Sequence, residues 1–469
     1  MWSLSLPRLA LAVLAFFVTT VGVRAHTARG LQATLTNASA PSGSLRQEVK
    51  DEESGGRTVC QFNVQGFNRQ GSVRTMSLQS GGPSGPLLGA NITCRGSVVT
   101  LIGGPLLEEF APAFVGVNYI KAVELPGATM VIRDSNLAIE DSVFSGLSFF
   151  GQGAIVLSNS NITFLNATFT ANNNSAAGAI YANDTSNITV LDSIFQGNGG
   201  GQGGAISLWN SSLLVNGTDF QGNIGHSAGG AIAVNNASTV TVITSTFTNN
   251  AAENGGAVFI EQCGKAVLTD NTFTSNKASR SGGALFQSKC SGTVDTNYFR
   301  LNSALNGGSV WQNNCKKILH TGSRFDNNTS ERGSAGIEMN QITSTDIVSC
   351  TFTTGKSAKG SGLYLQGVQG TVRECLFESN VADFGGAIFR GSTTGDISGS
   401  VFNSNKATKI GGAIYDSHAK GDITTSSFQG NSAPKGKAIF RTQSEGDVTN
   451  NKKLDESTQV TIDNPTQGT

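Results

Sequence analysis

One short pattern centred on phenylalanine recurs twelve times between residues 144 and 440 of this 469-residue chain. Successive phenylalanines stand 25 to 27 residues apart, and ten of the twelve have Asn three residues later. Eight or nine residues after most of them comes Gly-Gly-Ala and then an aliphatic residue, as at 203–206. A period this regular, in units too short to bury a core alone, predicts a stack of repeats. The repeated residues are Phe144, Phe169, Phe195, Phe220, Phe247, Phe273, Phe299, Phe325, Phe352, Phe377, Phe402 and Phe428.

Each repeat contains two or three short runs of β-forming residues separated by Gly, Asn and Ser. The gaps leave no room for the helices of a βαβ unit, and frequent Gly and Asn disfavour helix. The pattern therefore predicts an all-β fold, a parallel β-helix (solenoid) of about twelve regular coils. The phenylalanines would stack inside it, and replacing one by Ala is expected to cost about 3–5 kcal/mol. The Asn suits a turn, where its amide bonds locally or to the next coil, and Gly-Gly permits positive φ at the corner.

The composition divides the chain into five segments. The first resembles a secretory signal peptide, with an apolar run from Leu9 to Val23 and small residues before His26. The regular repeats need an atypical cap at each end, and polar terminal segments bury little. We therefore expect a signal peptide at 1–25, a polar leader at 26–58, irregular early coils forming an N-terminal cap at 59–132, the regular β-helix at 133–440, and a C-terminal cap strand with a disordered tail at 441–469.

The charge balance and the hydropathy exclude some classes of binding partner. Without residues 1–25 the chain keeps 30 basic and 32 acidic residues, a net charge of −2. No basic surface for nucleic acid is indicated, and no later segment is apolar enough for a transmembrane span. The expected localisation is secreted, either extracellular or at the cell surface.

Twelve Asn-x-Ser/Thr sequons suit a glycoprotein of a eukaryotic secretory pathway. A chain rich in Asn, Ser and Thr also produces sequons by chance, so both interpretations stay open. The main glycosylation candidates are Asn161, Asn166, Asn187, Asn210, Asn216, Asn236 and Asn327.

Seven cysteines in an exported chain favour disulfides. Stacked positions on neighbouring coils lie about 5 Å apart, which is within the usual Cα distance for a bridge. We expect bridges between Cys60 and Cys94, between Cys350 and Cys375, and between two of the stacked cysteines Cys263, Cys290 and Cys315. The alternative is that the thiols are free and fill a small inward slot that other repeats fill with Ser, Ala, Thr or Asn. No His stands in register with the stacked cysteines, so no metal site and no cofactor is expected.

The pairing of Phe-x-x-Asn with Gly-Gly-Ala-Ile resembles the repeats of the chlamydial polymorphic outer-membrane proteins, over roughly Phe144 to Phe440. The resemblance implies a right-handed β-helix and an adhesive, surface-exposed protein. A translocating barrel like that of the chlamydial proteins is not expected from the sequence, so adhesion is an analogy at the level of the repeat. The wider resemblance is to the pectin-lyase-like β-helix superfamily, which includes polysaccharide lyases, hydrolases and epimerases.

The residue after the corner aliphatic is the first candidate for binding. It varies between repeats as an outward position does, yet rings occupy it on two sets of three consecutive coils. An exposed aromatic strip would bind sugar rings or a partner surface. The alternatives are that a loop covers the strip or that the strand parity is reversed. The six candidates are Phe259, Phe286, Trp311, Phe389, Tyr415 and Phe440.

Signals for catalysis are sparse, and no catalytic residue is assigned. Asp346, Asp396 and Asp422 share one register six residues before the Phe, but an acidic strip is more often a solvated face. His226 stands in Gly-His-Ser, a faint likeness to the Gly-His-Gly of pectin hydrolases. His320 replaces an apolar residue five positions before its Phe, and we expect that its coil slips by one residue so that Leu319 faces inward.

Two functions remain open from the sequence. The favoured hypothesis is a non-catalytic, adhesin-like protein that binds cell-wall or surface polysaccharide, or a protein, along one face of the rod. The alternative is a carbohydrate-active enzyme of the pectin-lyase-like class. Clustered Asp, Arg and Lys in a groove would support the enzyme, whereas an exposed aromatic strip would support the binding protein.

Overall fold

A computed structural model of the chain describes residues 152–237, 239–453 and 460–463. Before residue 152 it describes a series of short strands, chiefly by their backbone. All regular secondary structure in these residues is β-strand. Within the same residues there is no helix long and apolar enough to cross a membrane.

Each repeat forms one coil of a parallel β-helix, and most coils contribute strands to three sheets. The Phe sheet holds two short strands per coil, the second of which carries the repeated Phe. The corner sheet holds the strand after the glycine corner, and the short sheet holds the strand between the repeated Asn and that corner. Equivalent residues of successive coils pair in parallel, as Ile206 does with Ile232 and Phe195 with Phe220. The prediction of one coil per repeat is confirmed.

The strand bounds follow the coils in order. The first strands of the Phe sheet are Val99–Ile102, Tyr119–Pro126, Asn136–Glu140, Asn161–Leu165, Asn187–Leu191, Ser212–Asn216, Thr239–Ile243, Lys265–Thr269, Ser291–Asp295, Ile318–Thr321, Thr345–Val348, Gly370–Arg373, Ile397–Ser398, Ile423–Thr424 and Val448–Thr449. The Phe-bearing strands are Val143–Ser145, Thr168–Thr170, Ile194–Gln196, Asp219–Gln221, Thr246–Thr248, Thr272–Thr274, Tyr298–Arg300, Arg324–Asp326, Thr351–Thr353, Leu376–Glu378, Val401–Asn403 and Ser427–Gln429.

The other two sheets have one strand per coil. The parallel strands of the corner sheet are Ala113–Val115, Met130–Arg133, Ile155–Ser158, Ile180–Asn183, Ile206–Trp209, Ile232–Asn235, Val258–Glu261, Leu285–Ser288, Val310–Asn313, Ile337–Asn340, Leu363–Gln366, Ile388–Gly391, Ile414–Ser417, Ile439–Thr442 and Val460–Asp463. The short-sheet strands are Ser148–Phe149, Asn173–Asn174, Gly199–Gln202, Ile224–Ala228, Ala251–Asn254, Lys277–Ser281, Ser303–Ala304, Thr329–Ser330, Val381–Phe384 and Lys406–Ile410.

The N-terminal strands differ from the regular coils. Antiparallel strands Ser44–Lys50, Arg57–Val64 and Ala90–Cys94 extend the corner sheet, and Gln32–Leu35 pairs antiparallel with Met76–Gln79. Strands therefore occur inside 26–58, the expected polar leader. Parallel pairing begins before residue 133, and it extends past 440 to Val460–Asp463. The expected signal peptide lies outside the described residues.

The twelve repeated phenylalanines form one continuous internal stack. Each is at most 2% exposed. Neighbouring ring centroids lie 4.6 to 4.9 Å apart, with ring planes within 10° of parallel. This spacing equals the separation of paired strands, about 4.8 Å, so the coil repeat itself brings the rings into contact. The predicted ladder is confirmed.

The Asn three residues after the Phe forms a second internal ladder. Asn250 donates from Nδ2 to the carbonyl of Phe220 on the preceding coil and to Oδ1 of Asn276 on the next. Its own Oδ1 accepts hydrogen bonds from the backbone and side chain of Asn223. Gly355 interrupts the ladder in its coil. The ladder members are Asn172, Asn198, Asn223, Asn250, Asn276, Asn302 and Asn328, followed after the break by Asn380, Asn405 and Asn431.

The glycine corners let successive coils pack closely where the short sheet meets the corner sheet. Gly255 has a φ of +63°, a conformation that most side chains avoid. A Cβ on Gly256 would collide with the carbonyl oxygen of Gly283 on the next coil. Only glycine fits at these two positions, which explains why the Gly-Gly pair recurs at the corners.

The cysteine predictions have mixed outcomes. Cys263 and Cys290 form a disulfide across adjacent coils, with a Cα–Cα distance of 4.8 Å, so a pair among the stacked three is confirmed. Cys315 is a free, buried thiol. The expected Cys350–Cys375 bridge is wrong: both residues are free, buried thiols. A hydrogen bond with Cys375, together with burial, raises the pKa of Cys350.

The free pair sits in the slot that other repeats fill with small polar residues, such as Ser323 and Ser400, each at most 1% exposed. A thiol fills this slot as well as a hydroxyl does, so the alternative of buried free thiols describes Cys350 and Cys375. At the N-terminus, Cys60 lies opposite Cys94 in paired strands. Their side chains lie outside the described residues, and that bridge stays a prediction.

His320 faces the interior, and the expected one-residue slip is wrong. It pairs in register with Val294 and is fully buried, while Leu319 faces outward. Its Nε2 lies 2.9 Å from Oε1 of Gln312, whose amide in turn donates to Gln287 at 2.8 Å. Since the Gln312 amide nitrogen points at Gln287, its oxygen must accept from a protonated Nε2. The slip is unnecessary because two inward glutamines on the corner sheet accommodate the imidazole.

Acid is expected to destabilise the protein through His320. Burial lowers the pKa of His320 to about 3, from about 6.5 for the unfolded chain. As the pH falls through this window only the unfolded state takes up the proton, so stability is lost, by about 3 kcal/mol at pH 4. Chemical denaturation at pH 7 and pH 4 measures the loss, which His320→Val should largely remove. The exposed His418→Asn variant is the control, and equal acid sensitivity in His320→Val and the wild type would refute the assignment.

The interior of the last coils contains a buried ion cluster. Arg390, Asp416 and Arg441 occupy equivalent inward positions on three successive corner strands and are at most 1% exposed. Arg390 binds Asp416 through Nε and Nη2 at 2.8 and 2.6 Å, and Arg441 Nε lies 3.2 Å from the same carboxylate. Both guanidiniums also donate to backbone carbonyls, for example of Gly395 and Gly446. Burial lowers the pKa of Arg441.

A candidate binding face on the corner sheet

The outer face of the corner sheet carries the six aromatic residues that the sequence singles out. All stand at the second position of their strands, in one register, and the structure merges the two sets into a single column. Glu338 and Tyr364 fill the gap between Trp311 and Phe389. We call the seven rings the aromatic row: Phe259, Phe286, Trp311, Tyr364, Phe389, Tyr415 and Phe440.

Tyr364 is a row member that sequence reasoning missed. Its corner reads Gly360-Ser361-Gly362-Leu363 in place of Gly-Gly-Ala and an aliphatic residue. Aligning the coil on its Phe instead of on its corner would have found it.

The rings of the aromatic row stack on each other and do not present open faces. Phe286 lies 4.7 Å from Phe259 and 4.5 Å from Trp311 between ring centroids, with planes within 20° of parallel. Phe259 is 8% exposed and Phe440 only 3%. Because adjacent coils are one ring thickness apart, stacked rings leave mainly their edges to solvent. The expected exposed strip is therefore corrected to a half-buried one.

Lysines cover the later part of the row. Lys359 lies 5.4 Å from the ring centroids of both Tyr364 and Phe389, and Lys435 lies 4.7 Å from that of Phe440. Such contacts add cation–π attraction and reduce the accessible ring area further.

Glu338 is a polar break in the row with a structural role. It is 6% exposed and accepts a hydrogen bond of 2.8 Å from the backbone of Gly307, one corner earlier. Asn340 donates to it at 3.4 Å. Burial raises the pKa of its carboxyl group. The carboxylate thus ties its coil to the preceding corner.

An open cleft lies beyond the start of the aromatic row, where small residues replace the rings. Ser207 and Ala233 occupy the row positions on the two coils before Phe259. Ala233 is fully buried, whereas a cavity of about 500 Å³ lies beside Ser207, Trp209 and Tyr181. We call it the Trp209 cleft, and it is lined by Ser175, Ala176, Tyr181, Gly201, Gln202, Ser207, Leu208, Trp209, His226, Ser227 and Asn235.

Trp209 is the most open large ring near this face. It is 53% exposed and stands at the fourth position of its strand, where the next coil has Asn235. Among the described residues Trp209 has no stacked ring partner, so a ring face remains available. The sequence analysis missed it because no neighbouring repeat has an aromatic residue at that position.

The walls of the Trp209 cleft are mainly apolar and contain a few polar groups. None of its lining residues is Asp, Glu, Lys or Arg. Asn235 donates to Gln202 at 3.3 Å, and Ser227 donates to the carbonyl of Gly201 at 2.9 Å. The amides, together with the hydroxyl of Ser207 and the imidazole of His226, offer both donors and acceptors. This arrangement can orient a polyhydroxylated ligand against an aromatic ring.

The acidic register lies on the Phe sheet, away from the cleft. Oδ1 of Asp396 accepts the backbone N–H of Asp422 at 2.8 Å, and Asp422 does the same for Asp447. Asp346 accepts the hydroxyl of Thr371 at 2.6 Å. These carboxylates therefore accept hydrogen bonds from the next coil. They fit the alternative of a solvated face better than that of a catalytic site. Among the described residues, no group of three or more His, Cys, Asp or Glu is placed to hold a metal ion.

The main glycosylation candidates are all exposed: Asn161, Asn166, Asn187, Asn210, Asn216, Asn236 and Asn327. Asn328 of the overlapping sequon is instead a buried member of the Asn ladder. If that tract is modified, Asn327 is the accessible site. Asn210 directly follows Trp209, so a glycan there would stand beside the cleft.

Comparisons with known proteins agree with this architecture. Residues 230–394 match the family model of the right-handed β-helix region, and residues 399–417 match the chlamydial polymorphic membrane protein repeat. The chain is thus a right-handed parallel β-helix protein. Its repeats are of the chlamydial polymorphic membrane protein type, within the parallel β-helix superfamily.

Similarity to individual proteins is weak. A mannuronic acid specific polysaccharide family 6 lyase from human gut microbiota is 10% identical, with coverage of 79% of this chain and 83% of the lyase and a TM-score of 0.22. A likeness at this level supports no conclusion about function. No curated protein matches the chain significantly.

Proposed function

We propose that this protein is a non-catalytic, secreted or surface-associated β-helix protein that binds glycans through the Trp209 cleft. The observation that carries the proposal is the 53% exposed indole of Trp209 in a mainly apolar cavity that has a few polar groups and no Asp, Glu, Lys or Arg in its lining. An aromatic face packs against the C–H groups of a sugar ring, while amides and hydroxyls bond its hydroxyl groups. The chlamydial-type repeat supports a surface location.

The site chemistry favours binding over hydrolysis. Glycoside hydrolysis ordinarily requires two carboxyl groups that flank the scissile bond. The lining of the cleft contains neither Asp nor Glu, and the carboxylates of the acidic register bond the backbone on another sheet. The alternative from the sequence, a carbohydrate-active enzyme, would have to use a second cavity of about 550 Å³ on the short sheet, whose lining includes Lys277, Glu331, Lys356 and Asp383. The Asp383 carboxylate there already accepts hydrogen bonds from Thr408 and Lys409.

Trp209→Ala is expected to abolish most glycan binding. A central aromatic anchor contributes about 2 kcal/mol or more, which corresponds to a loss of roughly 30-fold in affinity. The measurement is a screen of cell-wall and surface polysaccharides with protein produced without N-glycans, followed by calorimetric titration of each hit. Trp311→Phe, which preserves the stacked aromatic row, is the matched control and should bind as the wild type does.

Three results would overturn the proposal. Retention of full affinity in Trp209→Ala would remove the cleft from consideration. Failure of every glycan to bind would exclude the glycan-binding function. Released reducing or unsaturated ends would show that the protein is an enzyme after all. Circular dichroism spectra of both variants should match that of the wild type.

A further inference from the structure

We infer that the Trp209 cleft selects uncharged oligosaccharides over those that carry uronate or sulfate groups. The inference rests on the proposed function and adds the class of ligand. It follows from the charge distribution around the cleft, from the chemistry of the polar groups that line it, and from its length along the rod.

Charged side chains begin only outside the cleft lining: the carboxylate of Asp184 follows the corner strand Ile180–Asn183 and accepts a hydrogen bond from Ser158, and two ion pairs lie on the other side of the cleft. Glu253 binds Arg280 at 2.8 Å, and Glu261 binds Lys289 at 3.3 Å. Glu253 and Arg280 lie on the short-sheet strands that follow His226, whereas Glu261 and Lys289 lie on or directly after the corner strands that follow Asn235. No Lys or Arg among the lining residues is available to pair with an anionic ligand.

An anionic sugar would therefore lose hydration without gaining an ionic partner. Transfer of a carboxylate or sulfate from water to a cleft walled by an indole ring is unfavourable unless a cation or several donors compensate. A neutral hydroxyl group needs only one donor or acceptor. The amides of Gln202 and Asn235 and the hydroxyl of Ser207 provide both.

The cleft spans three coils along the rod axis. Tyr181, Trp209 and Asn235 lie on three successive corner strands. Two coil steps span about 10 Å, so the lining contacts a short oligosaccharide that runs parallel to the axis. A charged group on every sugar unit of such a ligand would fall inside the uncharged region.

The test compares neutral glycans with oxidised counterparts of identical linkage. Each neutral oligosaccharide retained by the protein is paired with the same oligosaccharide after conversion of its primary hydroxyl groups to carboxylates. Calorimetric titration at physiological salt is expected to show about 10-fold or greater weakening on oxidation, a difference of about 1.4 kcal/mol. Cello-oligosaccharides before and after this oxidation are the first pair.

A charge variant provides an independent measurement. Gln202→Lys places a cation in the cleft, and we expect it to strengthen binding of the oxidised probe, with the gain decreasing as salt is raised. Gln366→Lys, six coils away on the same face, lies beyond the screening length and should leave binding of the oxidised probe unchanged.

The outcomes separate the inference from the proposed function. Equal or tighter binding of the oxidised probes by the wild type would overturn the selectivity and leave glycan binding intact. A failure of Gln202→Lys to improve binding of the oxidised probe would also contradict it, because charge would not then be the discriminating factor. If neither form of any glycan binds, the proposed function is wrong and the inference falls with it.

Discussion

Replacement of Asp416 by Ala is expected to destabilise the protein by about 3–5 kcal/mol. Asp416 is the only carboxylate in its cluster, and it faces two guanidiniums that are as buried as it is. Without it, Arg390 and Arg441 would remain in the interior as two like charges that only backbone carbonyls partner. Removing one member of a buried ion cluster is far more costly than the net contribution of the cluster, because the remaining charge is left uncompensated. Urea denaturation followed by circular dichroism measures the loss.

An exposed ion pair in the same coils provides the control. Glu445 and Lys420 are 3.0 Å apart, but their side chains are 70% and 61% exposed. Glu445→Gln should therefore change the unfolding free energy by less than about 1 kcal/mol. If Asp416→Ala and Glu445→Gln behaved alike, the cluster would not be the buried, uncompensated system that the structure shows.

The coil architecture could be predicted because every repeat carries the same three signals. The Phe stacks on itself at the strand spacing, the Asn bonds its equivalents above and below, and Gly255 and Gly256 occupy positions that only glycine fits. Each of these residues depends only on its own copies one coil away. Because the conformational preference of each residue agrees with its packing in the stack, the fold can be predicted from a single sequence.

The errors arose where a coil departs from its neighbours. His320 stays in register because Gln287 and Gln312, on another sheet, provide a polar chain inside the rod. Cys350 and Cys375 have suitable positions for a bridge, yet they fill their slot as free thiols. For His320 the outcome depends on a contact across the inside of one coil, between residues that share no repeat position, which the period does not encode. For the two cysteines, the period places them on adjacent coils but does not determine whether their thiols are oxidised.

The candidate site was missed for a related reason. Periodicity draws attention to what recurs, so it selected the aromatic row, whose rings satisfy one another by stacking. The Trp209 cleft lies where Ser207 stands in place of a ring in the register of the row. In a solenoid, a small residue that interrupts a column of outward-facing rings is the sequence signal that would have indicated this cleft.

Asn250→Ala is expected to have an effect as large as that of the ion cluster, about 3–6 kcal/mol. The change removes the partner of the Phe220 carbonyl, of the Asn223 backbone N–H and of one N–H of the Asn223 amide, all in the interior. Each buried polar group that loses its partner costs about 1–3 kcal/mol, and the expected total lies in the lower part of the resulting range because the Asn223 amide keeps its bond to the Phe195 carbonyl. The neighbouring coils cannot move to compensate, because the Phe stack fixes their separation. Urea denaturation again measures the loss.

Two further variants distinguish the hydrogen bonds from simple loss of volume. Asn250→Asp keeps the shape but replaces the donor by an acceptor facing Oδ1 of Asn276, so it should be at least as destabilising as Asn250→Ala. Asn249→Gly alters the exposed preceding residue, whose φ of +57° glycine adopts readily, and should be nearly neutral. A mild effect of Asn250→Asp would mean that the ladder contributes packing alone. A severe one would show that an unbroken chain of amide hydrogen bonds, repeated coil by coil, holds the solenoid in register.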